Sequence, residues 1–459
     1  MTAELLVGID VGTTSCKAAV VAPDGAELAH GRAPTPWVPV ATGAEIAPGA
    51  LVDSALAAAA GALRDHRDAR VVAVGVTSMG ETGALLGRDG EPVAPAIAWH
   101  DARGGAAAEE LAAALGGERF TARVGLPPSR LCTLAKYRWL RDEAEGRRGV
   151  RWLNVAEWVV HRLGGEQLAE LSLASRTGLL DLATRAWWDE ALDWAGAPTG
   201  LLPEPAVAGT PAGRVAAGAA GPAAMLEGAV LAVAGHDHLC AAVGAGAVGP
   251  GEVFDSCGTA EALVRAVSPP VAPDRIAAAV AGHVTVGWHV VGEFQALLGA
   301  QRAGFALQRF LDLLGVGPDR LAALEAAALA VPAGTALPTV LDADGEQATL
   351  AGIGRHPSPA HVWRAAVEAV GARSGELLAT VRAVAGDVDR LVVAGGWSRS
   401  PTLRSVKARR LGRAVYPPVT EAGARGAALL AGIAAGLWEG VEDLPPFADR
   451  RGPAAPGEE

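Results

Sequence analysis

Asp10-Val11-Gly12-Thr13-Thr14 follows the apolar run Leu5-Leu6-Val7-Gly8-Ile9 and places a carboxylate at the mouth of a turn built from glycine and hydroxyl residues. Ala18-Ala19-Val20-Val21 comes next and Pro23-Asp24-Gly25 turns the chain again, so the segment reads as two strands joined by a tight loop. Glycine permits close approach, and such a loop can aim backbone N–H groups and threonine hydroxyls at a phosphate. The carboxylate beside it can hold the hydrated Mg²⁺ that a phosphate also needs. An ordinary hairpin would use the same residues, and one copy does not separate the two readings. A near-copy stands a little over half the chain away: Gly251-Glu252-Val253-Phe254-Asp255-Ser256-Cys257-Gly258-Thr259-Ala260, then Glu261-Ala262-Leu263-Val264-Arg265. Repetition at corresponding places predicts two related folds in tandem, clamping a phosphate chain from both sides.

The elements that must position these turns follow from hydrophobic patterning. Pro48 to His66 reads as an alanine-rich helix with proline near its start. Val71 to Val76 is a continuous apolar run of strand length, covered on both faces. Short strands are expected near Leu85-Leu86 and before Trp99, then helices through Trp139 and Trp158, with Trp187-Trp188 in an insertion. Leu201 to Gly221 is rich in Pro, Gly and Ala and reads as a loop. Val230 to Ala234 is a buried strand ending at Gly235-His236-Asp237-His238. Later come strands around Ser256 to Val264 and Val284 to Val291, helices over Ala300 to Leu314 and Ala360 to Val384, and a strand at Leu391 to Ala394. A helix from Ala422 to Leu437 precedes a loose tail from Pro445. Strands with intervening helices in each half indicate α/β layers side by side.

Composition bounds the partners. At 459 residues, two domains are expected. With 50% hydrophobic and 19% charged residues the chain is globular, and a net charge of −11 argues against nucleic acid or an anionic membrane as partner. Lysine occurs only at positions 17, 136 and 407, which reads as a bias of composition without function. Cys16, Cys132, Cys240 and Cys257 are far apart, with neither metal-ligand nor disulfide spacing, as in a reducing compartment. No signal-like segment opens the chain and His236, Asp237 and His238 interrupt its longest apolar run, so a cytoplasmic protein without membrane spans is expected.

Asp237 is the second carboxylate with a chemical placement. It follows a buried strand, where an open α/β sheet presents its ligand crevice, and it can also serve as the N-cap of a helix starting near His238. The flanking His236 and His238 have poor chelating geometry on a strand end.

Taken together, these segments resemble the FGGY carbohydrate kinases, a branch of the sugar kinase, Hsp70 and actin superfamily. Asp10 to Ser15 is similar to the family's first phosphate loop and Ser256-Cys257-Gly258-Thr259 to its second. Val393-Ala394-Gly395-Gly396-Trp397-Ser398-Arg399-Ser400-Pro401 resembles the adenosine loop, and Glu421-Ala422-Gly423-Ala424-Arg425-Gly426-Ala427-Ala428 the closing helix. Ala348 to Ile353 followed by His361 to Glu368 fits the C-terminal signature. The resemblance implies an α/β chain of two tandem ribonuclease H-like (actin-like ATPase) domains, 1–244 and 245–459, around a central cleft.

The resemblance also assigns roles. Asp237 becomes the catalytic base and Asp10 the Mg²⁺ site, through water. Gly12, Thr13, Thr14, Gly258 and Thr259 would hold the phosphates of ATP, with Lys17 placed to neutralise the transferring group or else to stand exposed on its strand. Gly395 and Gly396, with Ser398 beside them, would let adenine and ribose lie on the backbone. Gly304 and Gln308 begin a helix that flanks the nucleotide or simply packs. Met79 and Glu81 lie where xylulokinases carry Gln-Met-His and glycerol kinases Gln-Arg-Glu-Thr, so neither substrate transfers cleanly. Trp99, Asp101 and Arg103 match a Trp-x-Asp-x-Arg pattern that binds a polyol, or Asp101 caps a helix and Arg103 pairs with a surface acid. A pentulose such as xylulose leads as acceptor, with other ketoses, short polyols and aldonic acids open, and a homodimer is the candidate assembly. An actin- or Hsp70-like ATPase would share the Gly-Thr loops without needing Asp237, and a non-catalytic sugar sensor would bind without product.

Overall fold

In the computed structural model, which describes residues 4–445 apart from positions 144, 145, 333, 344, 346 and 356, the apolar runs become two six-stranded sheets. The first holds β1 (Glu4–Val11), β2 (Ser15–Val21), β3 (Glu27–Pro34), β4 (Arg70–Ser78), β5 (Pro211–Arg214) and β6 (Val230–His236), in the order β5-β6-β4-β1-β2-β3. The second holds β7 (Glu252–Cys257), β8 (Glu261–Val267), β9 (Val284–Trp288), β10 (Gln295–Gln301), β11 (Arg390–Ala394) and β12 (Ala414–Val415), in the order β9-β10-β8-β7-β11-β12.

The repeat is a repeat of whole sheets. β1, β2 and β3 run antiparallel, and β4 then β6 add in parallel beside β1. Likewise β7, β8 and β10 run antiparallel, with β11 then β12 parallel beside β7. Each Gly-Thr turn therefore joins the first two strands of its sheet.

Five layers result. Alternate residues of a strand face opposite sides, so Leu5, Val7 and Ile9 pack with Leu51, Ala55 and Ala58 of α1 (Pro48–Ala62) on the outside. Leu6, Ala19 and Val21 meet Ala424 and Ala428 on the inside. Between the sheets lie α2 (Asp237–Gly244) and α6 (Ala422–Ala434), while α4 (Pro359–Ala385) covers the outer face of the second sheet with Leu377 and Leu378. Beside the cleft stand α3 (Ala303–Leu313) and α5 (Pro401–Leu411). The glycine- and alanine-rich sequence of α6 has a steric cause. A Cβ on Gly8 of β1 would stand 1.7 Å from the Ala424 carbonyl oxygen, and one on Gly244 of α2 1.9 Å from that of Ala422. Backbone meets backbone there, and α6, the last α-helix among the described residues, packs against the first sheet.

Two segments differ from expectation. Within the expected loop from Leu201 to Gly221, β5 pairs along the edge of the first sheet, where a strand opening on proline is tolerated. The helix expected from Ala300 begins at Ala303, because Gln295–Gln301 is a sheet strand held between β8 and β9. Beyond Pro445 the expected loose tail lies outside the described residues. Among the described residues no helix is long and apolar enough to cross a membrane, and the four cysteines are buried and free.

Candidate active site

The two Gly-Thr turns and the junction of β6 with α2 converge on a cavity of about 1150 Å³ between the halves. Asp10, at the end of β1, lines it opposite its register partner Lys17 on β2. Lys17 is neither buried nor idle: its ammonium lies 2.9 Å from Glu421, the residue just before α6. Asp10 Oδ1 is buried with no hydrogen-bond partner among the described residues. Burial is the main cause that pushes this carboxyl up to about 7; Lys17 opposes the rise and Asp237 adds to it. α6 starts so close that a Cβ on Gly423 would fall 2.6 Å from Asp10 Oδ2, and a helix N-terminus favours an anion. An orphaned, desolvated carboxylate oxygen beside a Gly-Thr turn is a ligand that hydrated Mg²⁺ accepts, so Asp10 fits the ion.

The first turn is held by tryptophans. Trp37 Nε1 donates to the Thr13 carbonyl at 2.7 Å and Trp99 Nε1 to Thr13 Oγ1 at 2.9 Å, while Thr35 Oγ1 donates to the Gly12 carbonyl at 2.8 Å. Thr13 Oγ1 in turn donates to the soft acceptor Met79 Sδ at 3.9 Å, and Thr14 is exposed beside it. The second turn is held by backbone contact. Gly304 at the start of α3 has no room for a Cβ, which would lie 2.4 Å from the Gly258 carbonyl oxygen, and the Phe305 N–H donates to that of Thr259 at 3.1 Å. Gly395 has φ 106° and a Cβ there would meet the Cys257 carbonyl at 2.6 Å, so both the dihedral and the close approach require glycine. Thr259, Gly396, Ser398 and Gln308 line one end of the cavity; Gln308 also bonds Asp312 within its helix at 2.9 Å.

At the other end Asp237 is the first residue of α2, and Oδ1 accepts the His238 N–H at 2.7 Å. One carboxylate thus serves the helix start and faces the cavity. Burial, first, pushes it up to about 7, with Glu81 adding and the His238 N–H, Lys17 and Arg176 opposing. Burial also holds both neighbouring imidazoles down, His238 to about 4, so they are neutral at pH 7. His238 Nδ1 lies 3.3 Å from Ser256 Oγ of β7, a contact between the two halves. Met79, Glu81, Trp99 and Leu131 complete this end.

Asp101 and Arg103 do not line the cavity. Asp101 is fully buried and accepts from the Ala44 N–H at 3.0 Å, the Arg103 N–H at 2.9 Å and Thr42 Oγ1 at 3.3 Å. Arg103 closes the same clamp through Asp101 and Glu45, 2.7 Å away, and lies over the Trp139 ring. Neither is placed for polyol contact, and the alternative expectation holds only in part: Arg103 pairs with an acid, Glu45, but Asp101 caps no helix, since the next one runs Gly105–Leu115 from Gly104. Gly304 likewise supports the second turn from behind. Sequence reasoning missed Arg176 and Leu131, both on the cavity wall. Neither sits in a periodic or glycine-rich segment, and only the fold brings them in.

Residues 5–244 match the FGGY family of carbohydrate kinases, N-terminal domain, and residues 279–435 the C-terminal domain of that family. Over 477 residues the chain is 31% identical to glycerol kinase of Leifsonia xyli subsp. xyli, covering 96% of this chain and 91% of that protein. A solved xylulose kinase from Rhodospirillum rubrum superposes with a TM-score of 0.84 at 27% identity, over 96% of this chain and 92% of the other. Plasmodium falciparum glycerol kinase with ADP shares the fold, with a TM-score of 0.84 at 17% identity over 97% of this chain and 92% of its own.

Proposed function

Because this chain belongs to the FGGY family of carbohydrate kinases, phosphotransferases with an alcohol acceptor and an actin-like two-domain fold, we propose that it phosphorylates a small neutral polyol from ATP with Asp237 as general base. The observation that carries this reading is the position of Asp237, held at the cavity between two Gly-Thr turns with its carboxyl raised to about 7. An acceptor hydroxyl gives its proton to Asp237 as its oxygen attacks the terminal phosphorus. The bond to the bridging oxygen breaks and ADP leaves. Such transfer depends on positioning and charge neutralisation more than on covalent help. Magnesium bound through water at Asp10 would supply part of that neutralisation. Thr13, Thr14 and Thr259 donate to phosphate oxygens, while Gly395 and Gly396 leave the backbone bare for the nucleoside.

The acceptor end carries two carboxylates, Glu81 and Asp237, which suit hydroxyl donors. Glu81-Thr82 keeps part of the glycerol kinase segment, and the relative at 31% identity is a glycerol kinase, so a short polyol is the leading acceptor. A pentulose is the second reading, favoured by the likeness to a xylulose kinase at 27% identity. A coupled ADP-release assay with glycerol, erythritol, xylulose and gluconate tests both. Release driven by a neutral acceptor is expected. Release driven by gluconate alone, or hydrolysis indifferent to every acceptor, contradicts the reading.

A further inference from the structure

Arg176 is a cavity residue for which the proposed reaction has given no task. It follows a four-residue helix, Leu171–Ala174, whose start is capped by the buried Glu170 side chain. That turn is fastened on both sides of the cleft: Ser172 Oγ accepts the His236 N–H at 2.9 Å, and Ser175 Oγ accepts the Trp288 N–H of β9 at 2.8 Å. The guanidinium continues the pattern. Its Nε and one terminal nitrogen each stand 2.6 Å from Glu81 Oε1, while its other terminal nitrogen donates to Thr285 Oγ1 at 3.0 Å. Thr285 is committed in turn, since its hydroxyl proton goes to the Leu298 carbonyl at 3.1 Å. So one side chain touches the acceptor end of the first half and the sheet of the second.

The local backbone is arranged around this contact. Gly80 carries no side chain, and a Cβ there would lie 3.2 Å from both Arg176 Cγ and the His236 ring. Glu81 has φ 57°, a conformation unfavourable for a non-glycine residue, which persists only where the surroundings over-determine it. The pair is largely withdrawn from water, with 14% of the Arg176 and 10% of the Glu81 side chain exposed. Both guanidinium contacts fall on Oε1, which leaves Oε2 its acceptor capacity. Without the guanidinium, Glu81 and Asp237 would be like charges sharing one end of the cavity.

We propose that Arg176 is a positioning residue for the acceptor: it fixes Glu81 to receive substrate hydroxyls and, through Thr285, ties acceptor recognition to the second half of the molecule. The inference rests on the kinase reading above and deepens it. Arg176→Gln in the full chain, assayed by coupled ADP release with glycerol and xylulose, should raise the acceptor KM about 10- to 100-fold, the scale of one lost charged contact. The ATP KM should stay near wild type, a split that a merely structural role would not produce. Arg176→Lys, which reaches Glu81 or Thr285 but not both, should recover part of the loss, and it carries the test if Arg176→Gln does not fold. For the tie between halves, Thr285→Val combined with Arg176→Gln should cost less in kcat/KM than the product of the single effects. An unchanged acceptor KM in Arg176→Gln overturns the positioning role, and additive effects overturn the tie. If wild-type protein releases no ADP with any neutral acceptor, the kinase reading itself falls, and this inference with it.

Discussion

Asp10 and Asp255 stand beside equivalent Gly-Thr turns and face opposite ways. With Gly12 set against Gly258, Asp10 corresponds to Ser256 and Ile9 to Asp255. Strand alternation then turns Asp10 and Ser256 inward to the cleft, and Ile9 and Asp255 outward to a helix layer. Ile9 fits an apolar layer. Asp255 does not, and the second half supplies a resident cation: the Lys407 ammonium of α5 contacts Asp255, and it stands 3.0 Å from Glu261 and 3.1 Å from Cys257 Sγ. Asp255, Cys257 and Glu261 bring their ligand atoms within 4.8 Å of one another, as metal ligands do, and a lysine sits among them. The same turn is therefore built twice with different chemistry. In the first the acid keeps an oxygen without a hydrogen-bond partner at the cleft, and in the second the acid is neutralised from within by a lysine of α5.

That difference can be broken at either end. Lys407→Met leaves Asp255 and Glu261 as buried acids without their cation and should cost about 3–5 kcal/mol of stability. Denaturant unfolding measures it; a loss under about 1 kcal/mol, the scale of an exposed ion pair, would mean that the cluster does not hold the second turn. Asp10→Asn should do the reverse, lowering turnover while raising stability in alkaline buffer without magnesium. The sign follows from protonation. The folded Asp10 carboxyl titrates near 7 rather than at its ordinary 3.8, so the fold favours the protonated form and wild-type stability falls as pH rises through that interval. The variant escapes that fall. Added Mg²⁺ should raise the melting temperature of wild-type protein and leave Asp10→Asn unmoved, and an equal rise in both would place the ion elsewhere.

Much of this was legible in the chain. Two Gly-Thr turns, each after an apolar run, announced two related sheets, and Asp237 behind a buried strand announced the crevice. Other parts were hidden for identifiable reasons. β10 is Gln-Ala-Leu-Leu-Gly-Ala-Gln, whose alanines and glycine have little intrinsic strand preference, and its neighbours on both sides decide its state. The spacing of Trp99, Asp101 and Arg103 is local, whereas the direction of each side chain depends on partners far back in the chain, Thr42 and Ala44 for Asp101, Glu45 for Arg103 and Thr13 for Trp99. Trp99 reaches the cavity and its two companions turn away. The three lysines read as a bias of composition, yet each has a definite place: Lys17 beside Asp10, Lys136 buried and donating to the Trp99 carbonyl at 3.0 Å, and Lys407 within the acid cluster.

Asp237 is the one residue on which the proposed chemistry converges, and its amide replacement keeps the shape while removing the base. Single-turnover ADP release by Asp237→Asn, with saturating acceptor and Mg-ATP, should fall about 10²–10⁴-fold, the usual scale of general-base catalysis, while nucleotide binding stays close to wild type. Turnover within a few fold of wild type would contradict the account.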